Sequence, residues 1–349
     1  MKQRLFKFAG IVIVLASFII SWLIMDVRSF ARIPLNTSDA SVYYVVNKGM
    51  NLNRIAVDLN KRGMVKSSHH MVWLGRMNGG ADNIKAGEYE ILPGMLPTEF
   101  LDMLTSGKVI LHSLTLVEGW NFKQIMDAIH SDEYLVHTLK GVDNDAVMTH
   151  LGLPDLHPEG RFFPDTYKFS RDMTDVDFLK RAYHTMTKVL TLEWANRDPD
   201  LPYKDPYEAL IMASIIEKET ALPSERKAIA GVFVRRLQKG MRLQTDPTII
   251  YGMGEKYKGN IRRSDLTTDT PYNTYRINGL PPTPIATPGT LAINAALHPE
   301  PGNTLYFVAK GDGSHKFSDT LDEHNQAVIK YQLNGRKRAF SSMRKTEPE

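Results

Sequence analysis

The sequence predicts an α+β protein in which one N-terminal transmembrane helix is followed by a small α+β module and a larger α+β domain. Two observations carry this. Residues 8–25 form a charge-free apolar run, and after it short strand-like runs alternate with amphipathic helical stretches punctuated by glycine and proline. A third bounds the size. With 349 residues, 42% hydrophobic and 23% charged, the chain has the composition of a globular protein and the length for two ordinary domains.

Phe8 to Met25 reads FAGIVIVLASFIISWLIM, long enough to span a bilayer, with Trp22 near one interface. Lys2, Arg4 and Lys7 precede it without an acid, whereas Asp26, Arg28 and Arg32 follow it. The positive-inside bias therefore expects residues 1–7 in the cytoplasm, 8–25 as the anchor in an inner (cytoplasmic) membrane, and the rest outside it, on the periplasmic side. A cleaved signal peptide is the rival. Its site at Ser29-Phe30-Ala31 is poor, and the apolar run is longer than such peptides use.

A polar linker is expected over 26–41 and the small module over 42–110. Within it Val42–Val46 reads as a strand, then 51–62 as a helix burying Leu52, Ile55, Ala56 and Leu59. A helix over 69–77, a strand over 84–91 and a helix over 98–105 ended by Gly107 complete it. Gly49, Leu52 and Ile55 recur in spacing as Gly119, Phe122 and Ile125, each glycine opening a strand-to-helix turn.

The larger domain is expected over 111–335, with a charged tail over 336–349. It starts with broken helix over 119–150 and an aromatic loop over 158–167 whose rings could face sugar or simply pack. Helix follows over 175–196, three prolines in 198–206 interrupt it, and a helix pair meets near Glu219, the second member closed by Gly240 with Ser224 as its cap. Residues 241–254 and 271–289 read as stiff polar and aromatic loops. A short helix over 292–296, a buried strand over 304–309 and a closing helix over 322–333 end the domain.

The stretch ALIMASIIEKET, 209–220, carries the chemistry. On a helical wheel Met212, Ile215 and Ile216 lie within roughly 60° of Glu219, which thus continues the apolar stripe, whereas Glu217 points about 160° away, toward water. A carboxyl among hydrocarbon loses solvation of its charged form and stays protonated nearer neutrality, as a general acid requires. The competing arrangement is a frayed last turn that leaves Glu219 wet. On the stripe reading, a change at Glu217 costs no more than a surface effect, about 0.5 kcal/mol.

Other chemistries lack their residues. The chain has no cysteine and no HExxH, so neither a thiolate site nor a metal centre is expected, and no cofactor is called for. His69-His70 reads as a solvated helix start, and His315 and His324 read as hydrogen-bonding loop residues. No GxSxG elbow or phosphate-binding glycine loop occurs, and a net charge of +4 without a basic stripe argues against nucleic acid. Asp246 and Glu225 are candidates for a second carboxyl, which hydrolysis of a glycoside needs; with a single acid, an intramolecular hydroxyl can close an anhydro ring instead.

The segments SIIEKET, SERKAIAGVFVRRLQKGMRLQTDPTIIYGMG, PYNTYRINGLPPTPIATPG, LYFVAKGDGSHKFSDTLDEHN and EGRFFPDTY are very similar to the endolytic murein transglycosylases, the MltG or YceG-like family. That resemblance implies a membrane-anchored lyase that cuts the MurNAc–GlcNAc β-1,4 bond within nascent peptidoglycan strands and leaves 1,6-anhydro-MurNAc ends. It implies Glu219 as catalytic residue, Gln244, Asp246, Tyr251, Asn273 and Tyr275 as substrate-binding residues, and a peptidoglycan synthase as partner. Residues 42–110, with YYVVNKGMNLNRIAVDLNKRGMV, resemble a LysM-like glycan-binding module. A hydrolytic muramidase and a non-catalytic wall-binding scaffold remain the alternatives.

Overall fold

The computed structural model describes residues 2–35, 38–79 and 81–333. The first residue and the charged tail expected over 336–349 lie outside the described residues. The chain is a mixture of helices and two-stranded sheets, and it divides into two compact units. One runs to Ser113 and takes in Glu133–Val136 and Lys168–Met173. The other holds Leu114–Asp132, His137–Tyr167 and the described residues from Thr174 on.

Helix α1, Lys2–Phe30, is long and apolar enough over Phe6–Phe30 to cross a membrane. Its residues from Phe6 to Met25 are exposed, as a lipid-facing surface requires. The helix does not stop where the apolar run stops. Val27 and Phe30 are buried in the core of the first unit, Phe30 stacks on His70, and His70 Nε2 lies 2.7 Å from Asp26. Leu35 is buried there too, its N–H donating to the Met95 carbonyl at 2.8 Å, so much of the polar stretch after the run is packed chain.

In the same unit β1 (Val42–Val46), α2 (Leu52–Lys61), α3 (Ser68–Met77), β2 (Gly87–Ile91) and α4 (Pro97–Ser106) follow in order. β1 and β2 are antiparallel with Tyr44 opposite Tyr89. The two-residue period of a strand sends Tyr44, Val46, Tyr89 and Ile91 to one side, where Phe100 of α4 meets both tyrosine rings edge-on at 5.8 and 6.3 Å. α2 buries Leu52, Ile55, Ala56 and Leu59 against them.

In the second unit α5 (Phe122–Ser131) starts as α2 does. Gly49 and Gly119 take positive φ, 85° and 78°, and two residues later Asn51 and Asn121 cap the helices through their side-chain oxygens. β3 (His112–Thr115) and β4 (Thr166–Phe169), each divided between the two units, pair with one another. α6 (Asn144–His150), α7 (Asp175–Ala195) and α8 (Pro206–Glu219) follow. The aromatic loop over 158–167 is a packing device: Phe162 is fully buried and stacks on Phe122.

The prolines before α8 do more than break the chain. Pro206 occupies the first turn, where its missing N–H costs nothing, and Asp205 caps the helix by accepting the Glu208 N–H at 2.9 Å. α9 (Arg226–Gln238) is preceded by a 3-10 turn over Pro223–Glu225, so Glu225 rather than Ser224 stands at its start. α10 (Asp246–Met253) lies inside a stretch that reads as loop. It forms because Thr245 precedes an Asp-Pro pair suited to a first helical turn.

α11 (Arg263–Thr267), α12 (Thr290–Leu297), β5 (Tyr306–Ala309), β6 (His315–Ser318) and α13 (Leu321–Tyr331) complete the unit. α8 is its central helix, packed by α7, α9, α10 and α12. Every residue from Ala209 to Ile216 is buried, so α8 has an apolar circumference rather than the single stripe expected.

Candidate active site

Glu219 is the last residue of α8, where the buried helix runs out into a cleft of about 560 Å³ lined also by Arg236, Gln244, Asp246, Tyr275, Tyr306, Phe307 and His315. The side chain is half-buried and Oε1 accepts a hydrogen bond from the Thr245 hydroxyl. Burial pushes its carboxyl up to about 7; the Thr245 bond opposes that, the Asp246 charge adds to it, and His315 and Arg236 pull back. The result is a carboxyl that is protonated and ionised in comparable amounts at neutral pH.

Thr245 is held by a knot of buried hydroxyls. Its N–H donates to Thr274 Oγ1 at 3.0 Å, Thr248 and Thr274 lie 2.9 Å apart through their hydroxyl oxygens, and Gln244 N–H donates to the Thr274 carbonyl at 3.1 Å. Gln244 has a φ of 53°, left-handed for a residue with a side chain, and that kink leads directly into Thr245. Asp246, first in α10, accepts the Tyr275 hydroxyl at 2.7 Å on Oδ1.

The structure therefore brings Glu219, Gln244, Asp246 and Tyr275 to one cleft. It does not bring Tyr251 or Asn273 there. Tyr251 lines a separate pocket of about 470 Å³ with Glu159, whose Oε2 accepts the Tyr251 hydroxyl at 2.9 Å. Asn273 is buried, and its side-chain nitrogen donates to the carbonyls of Asp265, Leu266 and Thr268, shaping the loop from which Tyr275 projects. Of the two candidates for a second carboxyl, Asp246 is in the cleft; Glu225 binds His315.

Glu217 departs from expectation. It points away from the Glu219 side, yet that side is not wet: Arg226 lies 2.8 Å from Oε1, the Gly289 N–H donates to Oε2 at 3.0 Å, and both members of the ion pair have only 6% exposed side chains. The expectation of a mere surface effect is corrected accordingly. Two neighbouring glutamates thus differ by their partners: one is neutralised by a guanidinium, the other is left with a threonine hydroxyl.

Three residues of the site were not singled out from the sequence. Arg236 sits on the inner face of α9 three residues after Phe233, with Nε and Nη1 donating to the carbonyls of Leu305 and Leu243 at 2.7 and 2.5 Å. A charged residue on an apolar face is the same signal that picked out Glu219. Thr245 lay between two named candidates. His315 reads from the sequence only as a hydrogen-bonding loop residue; it does hydrogen-bond, to Glu225, but from β6, a strand too short to be read.

An acid poised near neutrality, open on one side to a polar and aromatic cleft, defines a site of the general acid–base class, able to give a proton to a leaving oxygen and take one back. The chain belongs to the YceG-like family, whose model matches residues 44–330. It is 34% identical over 311 residues to an endolytic murein transglycosylase of Bacillus subtilis, covering 84% of this chain and 86% of that one. A Streptococcus pneumoniae protein of the same name is 27% identical over 320 residues, 82% of this chain but 57% of its own length. The crystal structure of a YceG-like protein from Listeria monocytogenes superposes with a TM-score of 0.51 at 31% identity, covering 83% of this chain and 99% of that one.

Proposed function

We propose that this protein is an endolytic peptidoglycan lytic transglycosylase that cuts the MurNAc–GlcNAc β-1,4 bond within glycan strands and leaves 1,6-anhydro-MurNAc ends. The observation that carries the reading is Glu219, a carboxyl raised to about 7 beside a single hydroxyl donor at the floor of an open cleft. Relatives named for that activity support it.

In this reading protonated Glu219 gives its proton to the bridging oxygen as the C1–O bond breaks, and the resulting carboxylate takes the proton of the MurNAc O6 hydroxyl as O6 bonds to C1. No water is consumed, and Glu219 ends protonated, as it began. Gln244, Asp246 and Tyr275 hold the sugar and offset the positive charge that develops on the ring. Asn273 and Tyr251 serve by holding the segments that carry these groups.

One observation favours a second reading. Asp246 puts a second carboxyl into the cleft with Glu219, the pairing that a hydrolytic muramidase uses to activate water. Mass spectrometry of the ends made from purified strands separates the two, since the hydrolytic product is heavier by one water. The proposal expects anhydro ends from the native protein and none from Glu219→Gln, with the variant still folded. An active Glu219→Gln variant refutes the assignment.

The remaining organisation is proposed with it. α1 anchors the chain in the cytoplasmic membrane with residues 1–7 inside and the catalytic domain, 111–335, outside. Residues 42–110, whose strand–helix–helix–strand order is compatible with a LysM-like module, bind glycan. Close tethering would restrict cutting to newly made strands, where a peptidoglycan synthase is the natural partner.

A further inference from the structure

The turn that follows Glu219 carries a second polar device into the same cleft. Glu225, at the end of the 3-10 turn, accepts the backbone N–H of His315 on Oε1 at 2.9 Å and lies 2.7 Å from His315 Nδ1 on Oε2. An ionised carboxylate only accepts, so Nδ1 is the nitrogen that carries the hydrogen. Both side chains are largely buried, 11% and 15% exposed, and Phe307 and Phe317 wall the imidazole at 5.4 and 6.5 Å.

A ring so held cannot turn over without breaking the Glu225 bond. Its other nitrogen, Nε2, makes no hydrogen bond among the described residues and is not one of the sealed, unpartnered polar atoms. His315 also lines the cleft with Glu219. Burying a carboxylate to fix one tautomer is costly for a residue whose only task is to tie β6 to a turn, because the backbone N–H of His315 already makes that tie.

We infer that His315 contacts the substrate: with Nδ1–H held by Glu225, it presents Nε2 as a fixed acceptor for a sugar hydroxyl of the glycan bound beside Glu219. This rests on the reading of the cleft as a glycan-cleaving site. An imidazole nitrogen suits that task, since with Nδ1–H taken by Glu225 it accepts a hydroxyl proton in one fixed direction.

Amide substitutions separate the two nitrogens. In His315→Asn the amide stands near Nδ1 and can keep the Glu225 bond, but nothing replaces Nε2. In His315→Gln the amide oxygen reaches the Nε2 position. With full-length protein and purified glycan strands, His315→Asn is expected to lose about tenfold in kcat/KM, comparable to His315→Ala, whereas His315→Gln stays within about threefold of native. Thermal denaturation of each variant checks the fold, and if Asn proves unstable the ratio of Gln to Ala carries the test. A purely structural His315 gives the opposite ranking, with Asn near native and Gln as poor as Ala, and that ranking overturns the inference. The mass of the native product tests the parent reading separately: hydrolytic ends refute the lyase and leave the ranking readable, and a native protein that cuts no strand overturns both.

Discussion

At the scale of single residues, the account turns on where two neighbouring carboxyls hold their protons. Glu219 is raised from 4.5 to about 7, burial being the main cause. The folded state therefore retains a proton that the unfolded chain releases at about 4.5, and stability contributed by this group falls as pH rises from about 4.5 to about 7. Glu159, raised to about 7 by burial in the second pocket, adds a fall of the same sign over the same window. Chemical denaturation at pH 5 and pH 8 should show Glu219→Gln flattening this dependence. Activity should decline above about pH 7 as the acid form is lost. Burial raises Glu217 as well, but the Gly289 N–H and the Arg226 charge oppose it; Arg226 in turn has Nε and Nη1 without hydrogen-bond partners. Glu217→Ala leaves that guanidinium buried with only the more distant Glu118 carboxylate, 3.8 Å away, and should cost about 3–5 kcal/mol in denaturation midpoint measurements; a cost below about 1 kcal/mol would contradict the buried pair.

At the scale of elements, α10 joins the Glu219 cleft to the pocket that holds Glu159. Asp246 at its start meets Tyr275, and Tyr251 further along meets Glu159, which also accepts the Phe122 N–H at 3.0 Å and so ties α10 to α5. Tyr251→Phe should lower stability by about 1–3 kcal/mol while leaving the identity of the cleaved ends unchanged; an altered product would put Tyr251 on the substrate instead. What was legible in the sequence follows from how local each signal is. α2, α7 and the glycines that open α2 and α5 rest on periodicity and turn chemistry within a few residues, and they stand where expected within a residue or two. α10 and β6 escaped because a short helix after Thr-Asp-Pro looks like a turn, and a four-residue strand has too few alternations to read. Glu217 was misread because the wheel gives a side chain its direction but not the loop at Gly289 or the arginine of α9 that arrives from elsewhere in the chain. Tyr251 and Asn273 share a sequence neighbourhood with the cleft residues, yet their side chains serve a different pocket and a loop.

At the scale of the whole chain, α1 is both an apolar span and a part of the first unit's core. Deleting residues 2–25 should release the protein from membranes on fractionation while leaving that core intact. Deleting 2–35 also removes Val27, Phe30 and Leu35, each buried there. Such a variant should melt at a clearly lower temperature, because every lost apolar side chain takes about 1.5–3 kcal/mol of burial with it. Equal melting temperatures for the two deletions would mean that the helix end contributes nothing to the fold.

The central claim, that Glu219 holds a proton close to neutrality, is tested most directly by its own titration. Infrared difference spectra of native protein against Glu219→Gln, followed from pH 4 to pH 9, isolate the C=O stretch of this one carboxyl. The account predicts a band that persists through pH 6 and disappears with a midpoint at about 7. A midpoint near the ordinary 4.5 of a solvated glutamate would contradict it.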